Sequence, residues 1–109
     1  MLNREESNIA ACIDALDKIL EFTKSFSSAS DFFEDRKAFD ATMMNFVIMG
    51  EMVIRISDTF KDKHSEIPWY KIKAFRNIIA HDYFGIDADE VWQIIKNDLP
   101  KLKKQFENL

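Results

Sequence analysis

The sequence is poor in the residues that turn a chain, with two glycines and two prolines among 109. That scarcity excludes a many-turned β-fold and favours long helices joined by few loops. Cysteine occurs once, as Cys12, so no internal disulfide can form and a reducing, intracellular setting fits best. Cys12 falls on the apolar stripe of the first helix, where the expected role is a buried small hydrophobe rather than a reactive thiol. Long apolar runs are missing too. The most apolar stretch, residues 43–56, is too short to span a bilayer and contains Glu51 and Arg55. Met1 to Glu6 lack the charged-then-apolar pattern of a signal peptide. A cytoplasmic protein without a membrane role is therefore expected. There is no glycine-rich phosphate loop, no cysteine pair for zinc and no histidine pair at metal-ligand spacing. Neither a metal nor a cofactor is expected.

What is present reads as a soluble globular chain, 47% hydrophobic and 31% charged, and one domain over residues 1–109. The formal net charge of -4 discourages a nucleic-acid role at first sight, but its distribution matters more. Residues 1–35 carry three basic and eight acidic side chains. Residues 61–76 carry Lys61, Lys63, Lys71, Lys73 and Arg76 against Asp62 and Glu66 alone. A local basic patch can hold a phosphate backbone despite an acidic total, although such a patch taken alone is often only a solvated surface.

Periodicity resolves four helical segments, and the expected fold is an all-α, up-and-down bundle of four main helices. In the first, Ile9, Cys12, Ile13, Leu16, Ile19, Leu20, Thr23 and Phe26 recur at amphipathic spacing. Serines at 25, 27, 28 and 30 suit a loop, and Asp31 with Glu34 resembles a capping box that restarts the chain as helix. The second helix should run to about Phe60. One stripe is Phe39, Met43, Phe46, Val47, Gly50, Val53, Ile54 and Ser57; another is Met44, Ile48, Met52 and Ile56. So much apolar circumference must be covered on more than one side. Either a homodimer uses part of this helix, which is the preferred expectation, or the helix is central and thoroughly buried. Gly50 would permit close helix approach. Pro68 fits the first turn of a third helix that buries Trp69, Ile72, Phe75, Ile78 and Ile79. After Gly85, Asp87 and Glu90 open a fourth with Val91, Trp92, Ile95, Leu99, Leu102 and Phe106 inward, kinked or restarted near Asp98 and Pro100.

Two histidines remain as candidates for proton transfer. His64, among Lys61, Asp62, Lys63 and Ser65, reads as a surface residue. His81 stands at the end of the third helix beside Arg76, Asn77, Asp82 and Tyr83. An imidazole, with an unperturbed pKa of about 6.5, is the natural proton-transfer group near neutrality. An arginine can hold a phosphate and stabilise the charge of a phosphorane-like transition state. Residues five apart lie about 140° apart around an ideal helix. Arg76 and His81 converge on one ligand only if the helix ends near His81 or a second subunit brings its own copy. A capping or surface histidine, and a core-edge aromatic at Tyr83, are the plainer alternatives.

Residues 67–87, IPWYKIKAFRNIIAHDYFGID, resemble the HepT-like branch of the HEPN family. Residues 45–51 upstream and Val91-Trp92 through Asp98-Leu99-Pro100 downstream resemble it in the right order, so the likeness covers essentially residues 5–107. Arg-x4-His-x-Tyr is short, but its setting between Ile-Pro-Trp and Tyr-Phe-Gly-Ile-Asp makes it specific. The resemblance implies a homodimeric HEPN helical bundle with two Arg-x4-His motifs facing across a shared cleft. It implies a metal-independent endoribonuclease acting on RNA as the toxin of a type VII-like toxin–antitoxin module. The partner would be a minimal nucleotidyltransferase antitoxin that transfers AMP to the motif tyrosine. By position, Arg76 and His81 match the catalytic pair, Asn77 the supporting polar residue and Tyr83 the AMP acceptor. A non-catalytic HEPN module that docks a nucleotidyltransferase or a nucleotide is the alternative.

Overall fold

The computed structural model describes residues 3–109 and is all-helical there. Met1 and Leu2, which begin the stretch read above as lacking a signal peptide, lie outside the described residues. Helix α1 (Arg4–Thr23) is capped by Asn3, whose side chain accepts the Glu6 N–H, and Glu5 and Glu6 suit the positive end of the helix dipole. Of its expected stripe, Ile9, Cys12, Leu16, Ile19 and Thr23 are buried, while Ile13, Leu20 and Phe26 pack partly buried against the core; Ala15 is buried with them. The Cys12 thiol is fully buried, and burial pushes its pKa up to about 12. At ordinary pH it stays a protonated, inert thiol.

The expected second helix is three helices. Helix α2 (Ala29–Glu34) starts ahead of the expected Asp31, because the Ser28 hydroxyl accepts the Asp31 N–H. Asp35 is extended, and its carboxylate caps α3 (Arg36–Arg55) by accepting the Ala38 N–H. Ile56 then leaves helical geometry and Ser57 caps α4 (Asp58–Lys63), accepting the Phe60 N–H. Each break falls where a short polar side chain outcompetes the helical hydrogen bond at its own position. The apolar period passes straight through such a cap, which is why Ser57 read as part of a stripe. It is exposed.

Helix α5 (Trp69–His81) starts one residue after Pro68, whose place is the cap itself. Trp69 and Ile79 are buried, and Ile72 and Phe75 are packed against the core. Ile78, expected inside, is 52% exposed. A single 3-10 turn (Tyr83–Gly85) leads to α6 (Ala88–Gln93), capped by Asp87, which accepts the Asp89 and Glu90 N–H groups as anticipated. The expected kink is one turn of π-helix (Ile94–Asp98) running into α7 (Leu99–Glu107). Leu99 N–H reaches back to Ile94 O, a wider turn that accommodates Pro100, which has no N–H to give the ladder.

Helix α3 is the centre of the packing, flanked by α1 and by α5. It runs antiparallel to both. Glu5 meets Ser57 and Cys12 meets Met49 on one side, and Gly50 meets Arg76 on the other. Helix α7 closes over α1, with Lys103 paired to Asp17, and its Phe106 packs against Trp69. A chain of rings from Phe26 through Phe32 to Phe39 and Trp92 ties α2 to α3 and α6. The thorough burial of the second stripe is not met within one chain. Ile56 is buried and Met52 packs against the core, but Met44 is 58% and Ile48 38% exposed. Among the described residues no helix is long and apolar enough to cross a membrane.

Candidate active site

Arg76 leaves α5 where that helix passes Gly50 of α3. A Cβ on residue 50 would collide with the Arg76 Cβ and stand 2.7 Å from its Cγ, so only glycine allows the crossing. The close approach anticipated for Gly50 is therefore one made within the chain. A glycine in a helix interior costs about 1 kcal/mol relative to alanine. In return, the guanidinium comes within reach of the next residue along, Glu51. The Glu51 carboxylate accepts from Arg76 Nε at 2.9 Å, and the same oxygen accepts from Nη2. Asn77 Oδ1 accepts from Nη1 at 2.8 Å. Arginine has five N–H donors. Three are held, which leaves one on Nη1 and one on Nη2 for a ligand. The pair is half-buried, with Arg76 27% and Glu51 37% exposed.

His81 is the last residue of α5, so the helix ends where the sequence placed its end. The reason is local. Asp82 takes φ -148 and ψ 61, and its side chain folds back to accept the Gly85 N–H at 3.1 Å. A Cβ on residue 85 would collide with that carboxylate, so a larger residue there would push the Asp82 side chain off this cap. His81 is exposed, and among the described residues no hydrogen bond joins it to Arg76, Asn77 or Tyr83. The two residues remain about 140° apart on one helix. The chain thus groups Arg76 with Asn77 and Glu51, and leaves His81 apart.

Tyr83 is turned towards α3, where its hydroxyl donates to Asp40 and its ring meets Phe39 edge-on. Burial first, then the Asp40 carboxylate, push its pKa up to about 12, against a smaller opposing pull from Arg36. At neutral pH it is a protonated phenol with its proton directed at a carboxylate. A small pocket of about 90 Å³ lies beside it, lined by Phe33, Arg36, Phe39, Asp40, Phe84 and Ile86. His64, read as a plain surface residue, is half-buried with its ring 4.5 Å from that of Phe60. Its backbone carbonyl accepts the Trp69 indole N–H at 3.0 Å.

Along α3, residues step by about 100°, so Asp40, Met44, Val47, Ile48 and Glu51 share an arc of about 100°. The partner of Tyr83, the partner of Arg76 and the exposed apolar side chains between them are one face. Glu51 and Asp40 were not singled out as site residues in the sequence. The available signal for Glu51 was a carboxylate inside the most apolar stretch of the chain, directly after a helical glycine. Asp40 offered none. A larger groove of about 540 Å³ runs between α5 and α6–α7, but none of Arg76, Asn77, His81 or Tyr83 lines it. Its walls are largely apolar, with Lys71 and Lys101 among several carboxylates.

The family model described as Ribonuclease HepT-like matches residues 12–109. A "Probable ribonuclease HepT" of Thermococcus cleftensis is 38% identical over 96 residues, 88% of this chain and 86% of that protein. A "Putative RNase" of Methanocaldococcus jannaschii is 34% identical over 95 residues, 87% of this chain and 86% of that protein. A "Gamma-glutamylcyclotransferase and putative RNase" of the same organism is 32% identical over 94 residues. That match takes in 86% of this chain but only 42% of that longer relative. No solved structure gives a significant match.

Proposed function

The chain belongs to the HepT-like ribonuclease family, and from that premise we propose that it cleaves RNA internally without a metal, through Arg76 and His81. The observation that carries this reading is the state of Arg76. Its guanidinium is fixed on one side by Glu51 and Asn77 and keeps an N–H on each terminal nitrogen for a phosphate. RNA supplies its own nucleophile, so no activated water is needed. An imidazole takes the 2′-hydroxyl proton, the 2′-oxygen bonds to phosphorus, and the P–O5′ bond breaks as the leaving oxygen gains a proton. Arg76 balances the charge that builds on the phosphorane. The products are a 2′,3′-cyclic phosphate and a 5′-hydroxyl.

One chain offers one motif imidazole, His81, set apart from its arginine. A homodimer through the exposed Met44–Ile48 strip of α3 answers both facts. That strip lies between the Tyr83 and Arg76 contacts, so a second copy seated there brings a second motif into the same cleft. The two His81 side chains then divide the base and acid roles. In the same reading the protein is the toxin of a pair, and a minimal nucleotidyltransferase restrains it by placing AMP on Tyr83. A phosphate on the Tyr83 hydroxyl would add negative charge beside Asp40 on the α3 face that borders the cleft, and repel the RNA backbone.

Expression of the wild type and His81→Ala in a bacterial host tests the reading. The wild type should slow growth and degrade RNA to cyclic-phosphate ends, and the variant should do neither. Linear 3′-hydroxyl ends with a metal requirement would overturn the mechanism. Intact RNA and equal growth in both would leave a module that binds a nucleotidyltransferase or a nucleotide without cutting. Intact mass after co-expression with a nucleotidyltransferase reports whether Tyr83 gains AMP.

A further inference from the structure

We infer that Glu51 is a positioning residue of the ribonuclease site, holding the Arg76 guanidinium in its working orientation from the neighbouring helix. The inference rests on the reading of Arg76 as the phosphate-binding side chain. It names a residue which that reading does not supply.

Three observations converge on it. First, Glu51 is placed where a carboxylate is costly, within the apolar run of α3 and only 37% exposed. A partly buried charge is tolerated when it is paired and hydrogen-bonded. Second, one Glu51 oxygen spans two donors of Arg76, Nε at 2.9 Å and Nη2. An arginine pinned through Nε cannot rotate its planar group about the Cδ–Nε bond without breaking that contact. A single contact at one terminal nitrogen would instead leave the plane free to pivot about that one point. Third, the residue before Glu51 is the glycine that lets Arg76 approach α3 at all. Gly50 sets the distance and Glu51 sets the angle.

The charge sign makes the role testable. Glu51 adds a negative charge beside the site of an anionic substrate, so it cannot strengthen ground-state attraction for RNA. Its benefit must lie in preorganisation. A misplacement of about 1 Å at a catalytic group costs about 100-fold in rate. Removing a group that orients a metal ligand typically costs about 10–100-fold, and a group that orients a charge-stabilising arginine is expected to act on the same order.

The experiment compares the full chain with Glu51→Ala and Glu51→Gln, reading kcat and KM on an unstructured RNA together with melting temperature. The Arg76 Nε–H resonance and its exchange with solvent are followed by NMR in all three. Glu51→Ala should lower kcat about 10–100-fold with KM unchanged or lower. Glu51→Gln, which keeps a carbonyl acceptor, should recover most of the rate. The Arg76 Nε–H should exchange slowly in the wild type, faster in the alanine variant, and at an intermediate rate in the glutamine variant. Wild-type kcat in Glu51→Ala would overturn the inference. So would a loss of rate in both variants that follows melting temperature while Nε–H exchange stays unchanged. Should the wild type itself leave RNA intact, the ribonuclease reading fails, and the exchange rates alone decide whether Glu51 holds Arg76.

Discussion

The two ends of the motif are built differently. At Arg76 the chain is tightly determined: a glycine beneath it, a carboxylate across two of its donors and an amide on a third. Five residues on, His81 ends the helix exposed to solvent, and the next fixed point is Tyr83, tied to Asp40. The difference tracks chemistry. A group that stabilises charge gains from being immobile before the charge appears, since no reorganisation is then needed at the moment of reaction. A group that shuttles protons must meet both substrate and solvent. Under the proposed ribonuclease reading, one chain prepares the electrostatic half of the site and leaves the proton-transfer half to be completed by a second copy.

The sharpest way to break that comparison is subunit complementation. Arg76→Ala and His81→Ala homodimers should each lose about 100-fold or more in cleavage rate. Mixed and reassociated, they should regain a measurable part, because a dimer of the two retains one wild-type arginine facing one wild-type histidine, with water left to take the missing histidine's role. No regain in mixtures shown to contain heterodimer would mean that each site is made within one chain.

Gly50→Ala comes next. The added methyl collides with Arg76, so α5 must lift from α3 at a cost of about 1–3 kcal/mol, typical of overpacking. Cleavage should fall with it, and a variant that melts and cleaves like wild type would show that the tight end is not tight. Asp40→Asn, the smallest expected effect, probes the other anchor. Tyr83 has its pKa raised to about 12, against about 10 in an unfolded chain. Its contribution to stability is therefore full below about pH 10 and is lost as pH rises from 10 towards 12. Removing the Asp40 charge should bring the phenolate transition, followed by ultraviolet absorbance, down towards 10, while burial keeps it above. An unmoved transition would show that Asp40 does not govern Tyr83.

Much of this was legible in the residues themselves. The buried stripe of α1, the Asp87 cap, the inward residues of α6 and α7 and the end of α5 at His81 all follow from local rules of periodicity and capping. The errors were also local in kind. Ser28, Asp35 and Ser57 divide the expected second helix into three, since a capping side chain acts at one position while a periodicity window averages over many. Ile78 was placed inside because it follows the α5 pattern. Yet α5 packs chiefly on α3, so its far face is left uncovered. The motif residues were found from their order along the chain, whereas Glu51 and Asp40 were not, lying 25 and 43 positions from the side chains they hold.

By itself, then, the sequence determined the helical class, the apolar faces and the place of the Arg76–Tyr83 motif, because each rests on interactions between residues a few positions apart. Only the tertiary structure decided which carboxylate answers which motif residue, that Gly50 serves a contact inside the chain, and that Met44 and Ile48 stay open. These depend on how α5 crosses α3, and a crossing is set by the shape of two surfaces meeting. No single helix contains that information.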